Sequence, residues 1–175
     1  EIFTETVRAF NLAEKYRMPV QVLFDEIVGH MRERIEFPEP GELEVIDREA
    51  PSVSPEDYKP YDSTKGQIPP LADFGSEYKY HVTGLNKADD GFPTTKASLV
   101  EAEERRQIAK VMDNVADIEK YEEFMTKDAE VIIWAFGSTS RSARYAVNEL
   151  RKEGIKAGMF RAITLWPFPV KRTAE

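Results

Sequence analysis

VIIWAFGSTSRSARYAVNELRKEGIKAGMFRAITLWPFP, residues 131–169, decides how the chain reads. Val131 to Phe136 is a continuous apolar run, β-branched at its start, the pattern of a strand covered on both faces. Gly137-Ser138-Thr139-Ser140 turns the chain into a helix. Ala143, Ala146, Val147 and Leu150 recur at spacings of three and four, which gives that helix a single apolar stripe. Gly154 suits a left-handed C-cap, and Gly158 to Thr164 reads as a returning strand. Strand, crossover helix and strand of these lengths predict a right-handed βαβ unit with parallel strands. The fold class is therefore α/β.

The rest of the chain is read outward from that unit. Upstream, residues 95–125 are predicted to form the longest helix, capped by Thr95 or Ser98, with Ile108, Val111, Met112, Val115 and Ile118 as its buried stripe. Arg105 and Arg106 stand among acidic neighbours, the mark of a solvated face. Residues 37–96 hold eight of the eleven prolines, a density that forbids long helices and interior strands. The same stretch carries Tyr58, Tyr61, Phe74, Tyr78, Tyr80 and Phe92, whereas disordered linkers are poor in aromatics. An extended arm packed against protein is the expectation. Lys79 to Gly84 reads as a short strand, followed by a turn at Asp90-Gly91. At the start, Phe3, Val7, Phe10 and Ala13 predict a helix over residues 2–17, with Lys15 and Arg17 complementing the dipole of its last turn. Val20 to Phe24 then reads as a short buried strand, with Asp25-Glu26 at its C-terminal end.

Composition excludes several classes. The 175 residues carry a formal net charge of −8, which disfavours nucleic acid or an anionic membrane as main partner. There is no cysteine, so no disulfide, thiolate zinc site or cysteine-held iron–sulfur cluster arises within these residues. No apolar run approaches a membrane span, and no signal peptide is present, which is compatible with the cytoplasm. The first residue is not Met and falls inside a helical pattern, so the chain reads as part of a longer polypeptide.

Candidate chemistry is sparse. Gly137, Ser138, Thr139 and Ser140 lie between a parallel strand and a helix N-terminus, where backbone N–H groups and hydroxyls can hold a phosphate or carboxylate. Arg141 and Arg144 in the first turn oppose the helix dipole, a conflict that an anion would relieve. The same residues are ordinary turn and N-cap chemistry, and the further glycines of a dinucleotide fingerprint are missing. His30 and Glu33 would share a face if their segment were helical, but two ligands do not make a metal site. Asp25 reads as a cap on the turn that follows it. Periodicity alone leaves open a non-catalytic α/β anion-binding or assembly module.

A resemblance adds to this. Residues Thr6 to Arg17, Pro19 to Glu26, Gly29 to Glu33, Val82-Thr83-Gly84-Leu85, Asp90-Gly91, Gly137-Ser138-Thr139 and Leu165 to Pro169 resemble, in this order, the alpha subunit of 2-oxoacid:ferredoxin oxidoreductases, particularly the 2-oxoglutarate type. The resemblance implies residues 1–35 as the end of a thiamine-pyrimidine-binding domain, 36–96 as a linker arm, and 97–175 as an incomplete transketolase C-terminal-like domain. It implies oxidative decarboxylation of a 2-oxoacid with coenzyme A. Thiamine diphosphate, magnesium and an iron–sulfur cluster would serve in the whole complex, with a beta subunit and ferredoxin as partners. No cofactor is expected wholly within these residues. The family's Tyr-Pro-Ile-Thr-Pro substrate motif is not among them, and Asn86-Lys87-Ala88 stands where the family often has Glu-His-Asp. A transketolase-like transferase with the same C-terminal domain is the remaining alternative. On the resemblance, the 131–169 stretch serves packing and assembly more than chemistry.

Overall fold

The computed structural model describes residues 1–174. In chain order they form α1 (Ile2–Tyr16), α2 (Glu26–His30), a 3-10 turn (Ser63–Lys65), α3 (Ala97–Met112), α4 (Val115–Ile118), β1 (Tyr121–Phe124), β2 (Val131–Phe136), α5 (Thr139–Lys152), β3 (Ala157–Ala162) and α6 (Val170–Thr173). Contacts group the chain into two compact units. One comprises Glu1–Val22 and Pro38–Asp113; the other comprises Leu23–Phe37 and the residues from Asn114 onward.

In the first unit the arm packs on its own chain. α1 ends at Arg17, whose backbone is left-handed (φ 49°) and whose N–H bonds the Ala13 carbonyl. Arg17 is therefore the cap residue and not part of the last turn. The amide of Asn11 holds the arm from both sides of its carboxamide: it donates to Glu44 O at 2.8 Å and accepts from Ile46 N–H at 2.9 Å. Arg48 makes a two-pronged bond to Glu14 at 2.6 and 2.8 Å. Farther along, Tyr58 is buried with its ring edge-on to Tyr78 and Tyr80, at 5.0 and 5.5 Å between centroids. Such aromatic pairs add stabilisation beyond the area they bury. The Tyr58 hydroxyl donates to Pro70 O and accepts from Ala72 N–H, while Tyr80 donates to Ala72 O.

Prolines remove donors from the arm, so side-chain hydroxyls and guanidiniums satisfy its carbonyls in place of a ladder. The expected strand at Lys79–Gly84 accordingly does not form; the ladder contact nearby is a single bridge between Lys87 and Pro93. The tight turn at Asp90-Gly91 does form, closed by Gly91 N–H to Ala88 O and Ala88 N–H to Phe92 O, both at 2.9 Å.

The long helix expected over 95–125 stops at Met112. Asp113 and Asn114 compete for backbone hydrogen bonds and are weak helix formers, and Asn114 leaves helical geometry (φ −115°, ψ 18°). Tyr121 to Phe124 is strand β1, not the end of a helix. Neither Thr95 nor Ser98 caps α3; the N-cap position is Lys96, whose side chain makes no cap bond and whose N–H donates to the Thr94 hydroxyl. The expected stripe is half right. Val111 and Ile118 are buried, but Ile108 and Met112 are exposed, and the inward face carries Lys110 instead.

The second unit contains the βαβ motif. β2 and β3 pair in parallel from Val131↔Ala157 to Phe136↔Ala162, and α5 crosses between them. Ala143 and Val147 on α5 pack with Ala135, Ala157 and Met159, and Ile133 and Leu150 flank this core. Helix α5 ends as its sequence indicates: Gly154 takes φ +86°, Ile155 N–H reaches Leu150 O and Gly154 N–H reaches Arg151 O. Those two bonds are the reciprocal pair of a Schellman cap.

The sheet differs from the expectation in three ways. It is mixed, because β1 joins β3 antiparallel and gives the order β1-β3-β2. β3 also begins and ends earlier than expected, at Ala157–Ala162. Lastly, β2 is covered on one face only: Ala135 is buried, while Val131, Ile132, Trp134 and Phe136 are all exposed. β2 is an edge strand here, and an apolar run reports suitability for burial without supplying the covering layer. Val20 to Phe24 fails as a strand for the same reason. Among the described residues no segment pairs with it, and Val20, Val22, Leu23 and Phe24 are exposed.

Candidate functional site

The turn that joins β2 to α5 uses its polar groups on itself. Gly137 takes φ 60°, and Ser138, the N-cap residue, makes no side-chain cap bond. The Thr139 hydroxyl donates to Phe136 O at 2.7 Å, and the buried Ser140 hydroxyl donates to Gly137 O. Both hydroxyls thus hold down carbonyls of the strand end. Arg144 is drawn away from the helix N-terminus: it pairs with Glu122 on β1 and lies 4.3 Å over the Phe124 ring. Arg141 and Ser138 stay exposed. Gly137, Ser138, Thr139 and Ser140 are brought together as expected, but with two of their three hydroxyls already bonded as donors.

Asp25 lies on the same side of this unit as the turn. Its carboxylate is 3.9 Å from the position a Cβ on Gly137 would take. Asp25 is the N-cap residue of α2; its carbonyl accepts from Val28 and Gly29, but its side chain caps nothing. α2 ends at His30, and Met31 is extended, so His30 and Glu33 share no helical face. His30 instead lies 3.7 Å from Glu26, with both side chains largely exposed. Among the described residues, no group of three or more His, Asp and Glu is placed to hold a metal.

The denser polar site lies in the first unit, and the sequence reading missed it. Arg17 donates to the carbonyls of Pro60 and Pro69, the latter at 2.9 Å, and its guanidinium stacks 4.9 Å from the Tyr61 ring centre. Burial lowers its pKa from the ordinary guanidinium value. From α3, Arg106 grips Glu103 through both carboxylate oxygens and donates to Gln67 O. Both side chains of this pair are almost wholly buried, at 11% and 12% exposure, so Arg106 is not on a solvated face as Arg105 is. Lys110, 3% exposed, donates to Arg17 O at 3.1 Å. Burial, reinforced by the positive charges of Arg106 and Arg17, pushes the Lys110 ammonium down to about 8.

Beside this cluster, a groove of about 560 Å³ runs between the end of α1 and the arm, with Tyr61, Leu71, Phe74 and Tyr80 among its walls. Arg17 could not be found by periodicity, because its partners lie 43 and 52 residues away. The available signal was the coincidence of tyrosines with prolines in the arm.

Residues 1–107 match the model for pyruvate flavodoxin/ferredoxin oxidoreductase, thiamine diphosphate-binding, a span that takes in both α1 and the arm. The chain belongs to that family. Residues 129–175 match pyruvate:ferredoxin oxidoreductase core domain II, and so contain the βαβ motif. The chain is 41% identical over its whole length to the 2-oxoglutarate synthase subunit KorA of Methanothermobacter thermautotrophicus, covering 47% of that protein. It is 35% identical to the ketoisovalerate oxidoreductase subunit VorB of Methanothermobacter marburgensis, over 97% of this chain and 41% of that one. Among solved structures, a 2-oxoglutarate:ferredoxin oxidoreductase from Magnetococcus marinus, with 2-oxoglutarate, coenzyme A and succinyl-CoA bound, superposes with a TM-score of 0.85 at 32% identity. That match covers 97% of this chain and 30% of the other. The chain thus spans about half the length of the curated oxidoreductase subunits it resembles. No described helix is long and apolar enough to cross a membrane.

Proposed function

We propose that this chain is part of the alpha subunit of a 2-oxoglutarate-type 2-oxoacid:ferredoxin oxidoreductase. The enzyme converts a 2-oxoacid and coenzyme A to an acyl-CoA and carbon dioxide, and an electron pair passes to ferredoxin. The observation that carries this reading is the 41% identity to a 2-oxoglutarate synthase subunit across the full chain. On this reading residues 1–35 end the pyrimidine-binding domain, 36–96 form the arm, and 97–175 open the transketolase C-terminal-like domain, although the thiamine diphosphate-binding family model runs unbroken over 1–107 and the core domain II model over 129–175.

Thiamine diphosphate supplies the carbanion chemistry of such an enzyme. The donor groups on this chain do not fit its magnesium or an iron–sulfur cluster, since no metal-holding group stands among the described residues and there is no cysteine. Those groups belong to other parts of the complex, with the beta subunit as partner. A complex that uses coenzyme A and ferredoxin would work in the cytoplasm, and the net charge of −8 argues against nucleic acid or an anionic membrane as main partner.

The role of this segment is structural and interfacial. The open apolar face of β2 supports an interface, because contiguous exposed apolar surface marks contact sites. The 137–140 turn shapes the junction from strand to helix and is not the site of chemistry.

The test is to purify the full-length protein with its partners and follow viologen reduction. Reduction that requires both 2-oxoglutarate and coenzyme A is the expected result. Faster turnover with ketoisovalerate would favour the branched-chain specificity of the VorB relative, and inactivity with every 2-oxoacid, without bound thiamine diphosphate, would overturn the proposal. In the same assay Arg141→Ala should lower stability or assembly before it alters the KM for coenzyme A; a large rise in that KM in an intact complex would restore the turn as an anion site.

A further inference from the structure

We propose that the free edge and the open face of β2 are covered by the same polypeptide. A parallel strand that follows residue 175 in the full-length subunit pairs with β2, and the crossover helix leading to it lies on Ile132, Trp134 and Phe136. This pairing presupposes the longer alpha subunit proposed above; the chain covers 47% of the KorA relative that matches its whole length.

The two faces of the sheet are filled unequally. Side chains alternate along a strand, so Ile133 and Ala135 face α5 while Ile132, Trp134 and Phe136 face the other way. On that second face the register sets Trp134 beside Phe160 and Phe136 beside Ala162, with Tyr121 and Glu123 next to them on β1. Tyr121 stacks on Phe160 at 5.3 Å between ring centres, and Phe160 and Ala162 are buried. The β2 half of the face is bare: Ile132, Trp134 and Phe136 are 46%, 43% and 49% exposed. The edge of the strand is equally unguarded. Its six residues carry no charge, no proline and no bulge, the devices by which sheets protect an open edge.

The route of the chain after β3 points to what covers them. Phe168 meets Trp134 at 5.8 Å between ring centres, and Arg172 of α6 pairs with Glu123. Both contacts lie on the face away from α5, so the chain leaves β3 along that face and begins a helix there. Handedness then sets the direction. β2, α5 and β3 make a right-handed crossover that steps from β2 to β3 over the α5 face. A second right-handed crossover, leaving β3 over the opposite face, must step back the other way, past β2. The far edge of β3 is already held by β1, and a parallel strand beyond β1 would need a left-handed crossover. The next parallel strand therefore falls on the free edge of β2, and its helix on the bare apolar face. That arrangement makes β2 a central strand covered on both sides, to which an unbroken apolar run is suited.

The experiment places the photo-crosslinking residue p-benzoylphenylalanine at position 136 of the full-length protein, purified with its partners, and identifies the product by denaturing gel and peptide mass spectrometry. The expected result is a bond within the subunit, with no gain in molecular mass, to a peptide that follows residue 175. The same probe at the exposed position 145, on α5, should not capture that peptide. A bond to the beta subunit, to a second copy at doubled mass or to a peptide upstream of residue 1 overturns the proposal, as does the absence of any protein product. Should position 136 not tolerate the probe, hydrogen exchange in the unaltered full-length subunit gives a second reading. Alternate N–H groups of a strand point to opposite edges, so residues 131–136 should all exchange slowly, with or without the partners. Rapid exchange at alternate residues, or slowing only when partners are added, overturns the proposal. Neither reading depends on turnover: an inactive complex with the expected bond unseats the assigned activity alone, and an active complex bonded elsewhere unseats the strand pairing alone.

Discussion

At the scale of single residues, the arm is held by a few positions with no freedom to change. Gly91 is the sharpest case. It takes φ +90°, and a Cβ there would lie 2.2 Å from His81 O, a backbone atom that cannot swing aside. Both the conformation and the space demand glycine. Gly91→Ala should therefore destabilise the protein by about 2 kcal/mol or more, read as a lower midpoint in urea at unchanged m-value. A loss below about 1 kcal/mol would show that the 86–94 turn relaxes at little cost. The motif Asp90-Gly91 made this turn legible in advance, because its chemistry is local. Arg17 was misread for the opposite reason. Its neighbours in sequence mark it as a dipole partner, but its backbone turns left-handed and its side chain serves carbonyls in the arm.

At the scale of elements, legibility tracked how much of the cause lies within the element itself. The βαβ motif was readable because the 3.6-residue stripe of α5, the Gly154 stop and the β-branched run of β2 are each self-contained signals. Val147 tests the packing that follows. It is fully buried against residues of β2 and β3, so Val147→Ala removes two carbons from a closed core and should cost about 2–3 kcal/mol by thermal or chemical denaturation. Arg105→Ala, at an exposed ion pair on α3, should cost no more than about 0.5 kcal/mol. Equal effects at the two positions would contradict the core assigned here. Strand β1 and the failed strand at Val20–Phe24 were not legible, since pairing is a property of neighbours. Tyr121-Glu122-Glu123-Phe124 has little of a strand's alternation, yet it pairs with β3 at four positions. Val20 to Phe24 has the composition of a strand and pairs with nothing described.

At the scale of the whole molecule, the two units differ in how they are held. The second unit rests on a sheet and an apolar core. The first rests on side chains that cross long stretches of sequence: Asn11 to residues 44 and 46, Glu14 to Arg48, Arg17 to residues 60 and 69, Arg106 to residue 67. The family membership was readable from ordered short stretches. The polar cluster of Arg17, Arg106 and Lys110 was not, because it is assembled from the end of α1, α3 and the arm, and none of these carries it alone.

The arm's mode of attachment has a consequence for how its order can be measured. Its carbonyls are engaged by tyrosines and arginines, its prolines have no N–H, and its backbone bonds are mostly short turns such as Asp57 to Ser54 and Lys65 to Asp62. Amide hydrogen exchange senses only N–H groups, so it should report most of residues 38–85 as unprotected. Trypsin should tell a different story at Arg48, whose guanidinium is clasped by Glu14 and must be released before a protease can take it. Rapid exchange combined with slow cleavage at Arg48 is the expected signature of a segment fixed by its side chains and by acceptors; rapid cleavage there would show that the clasp does not hold in solution.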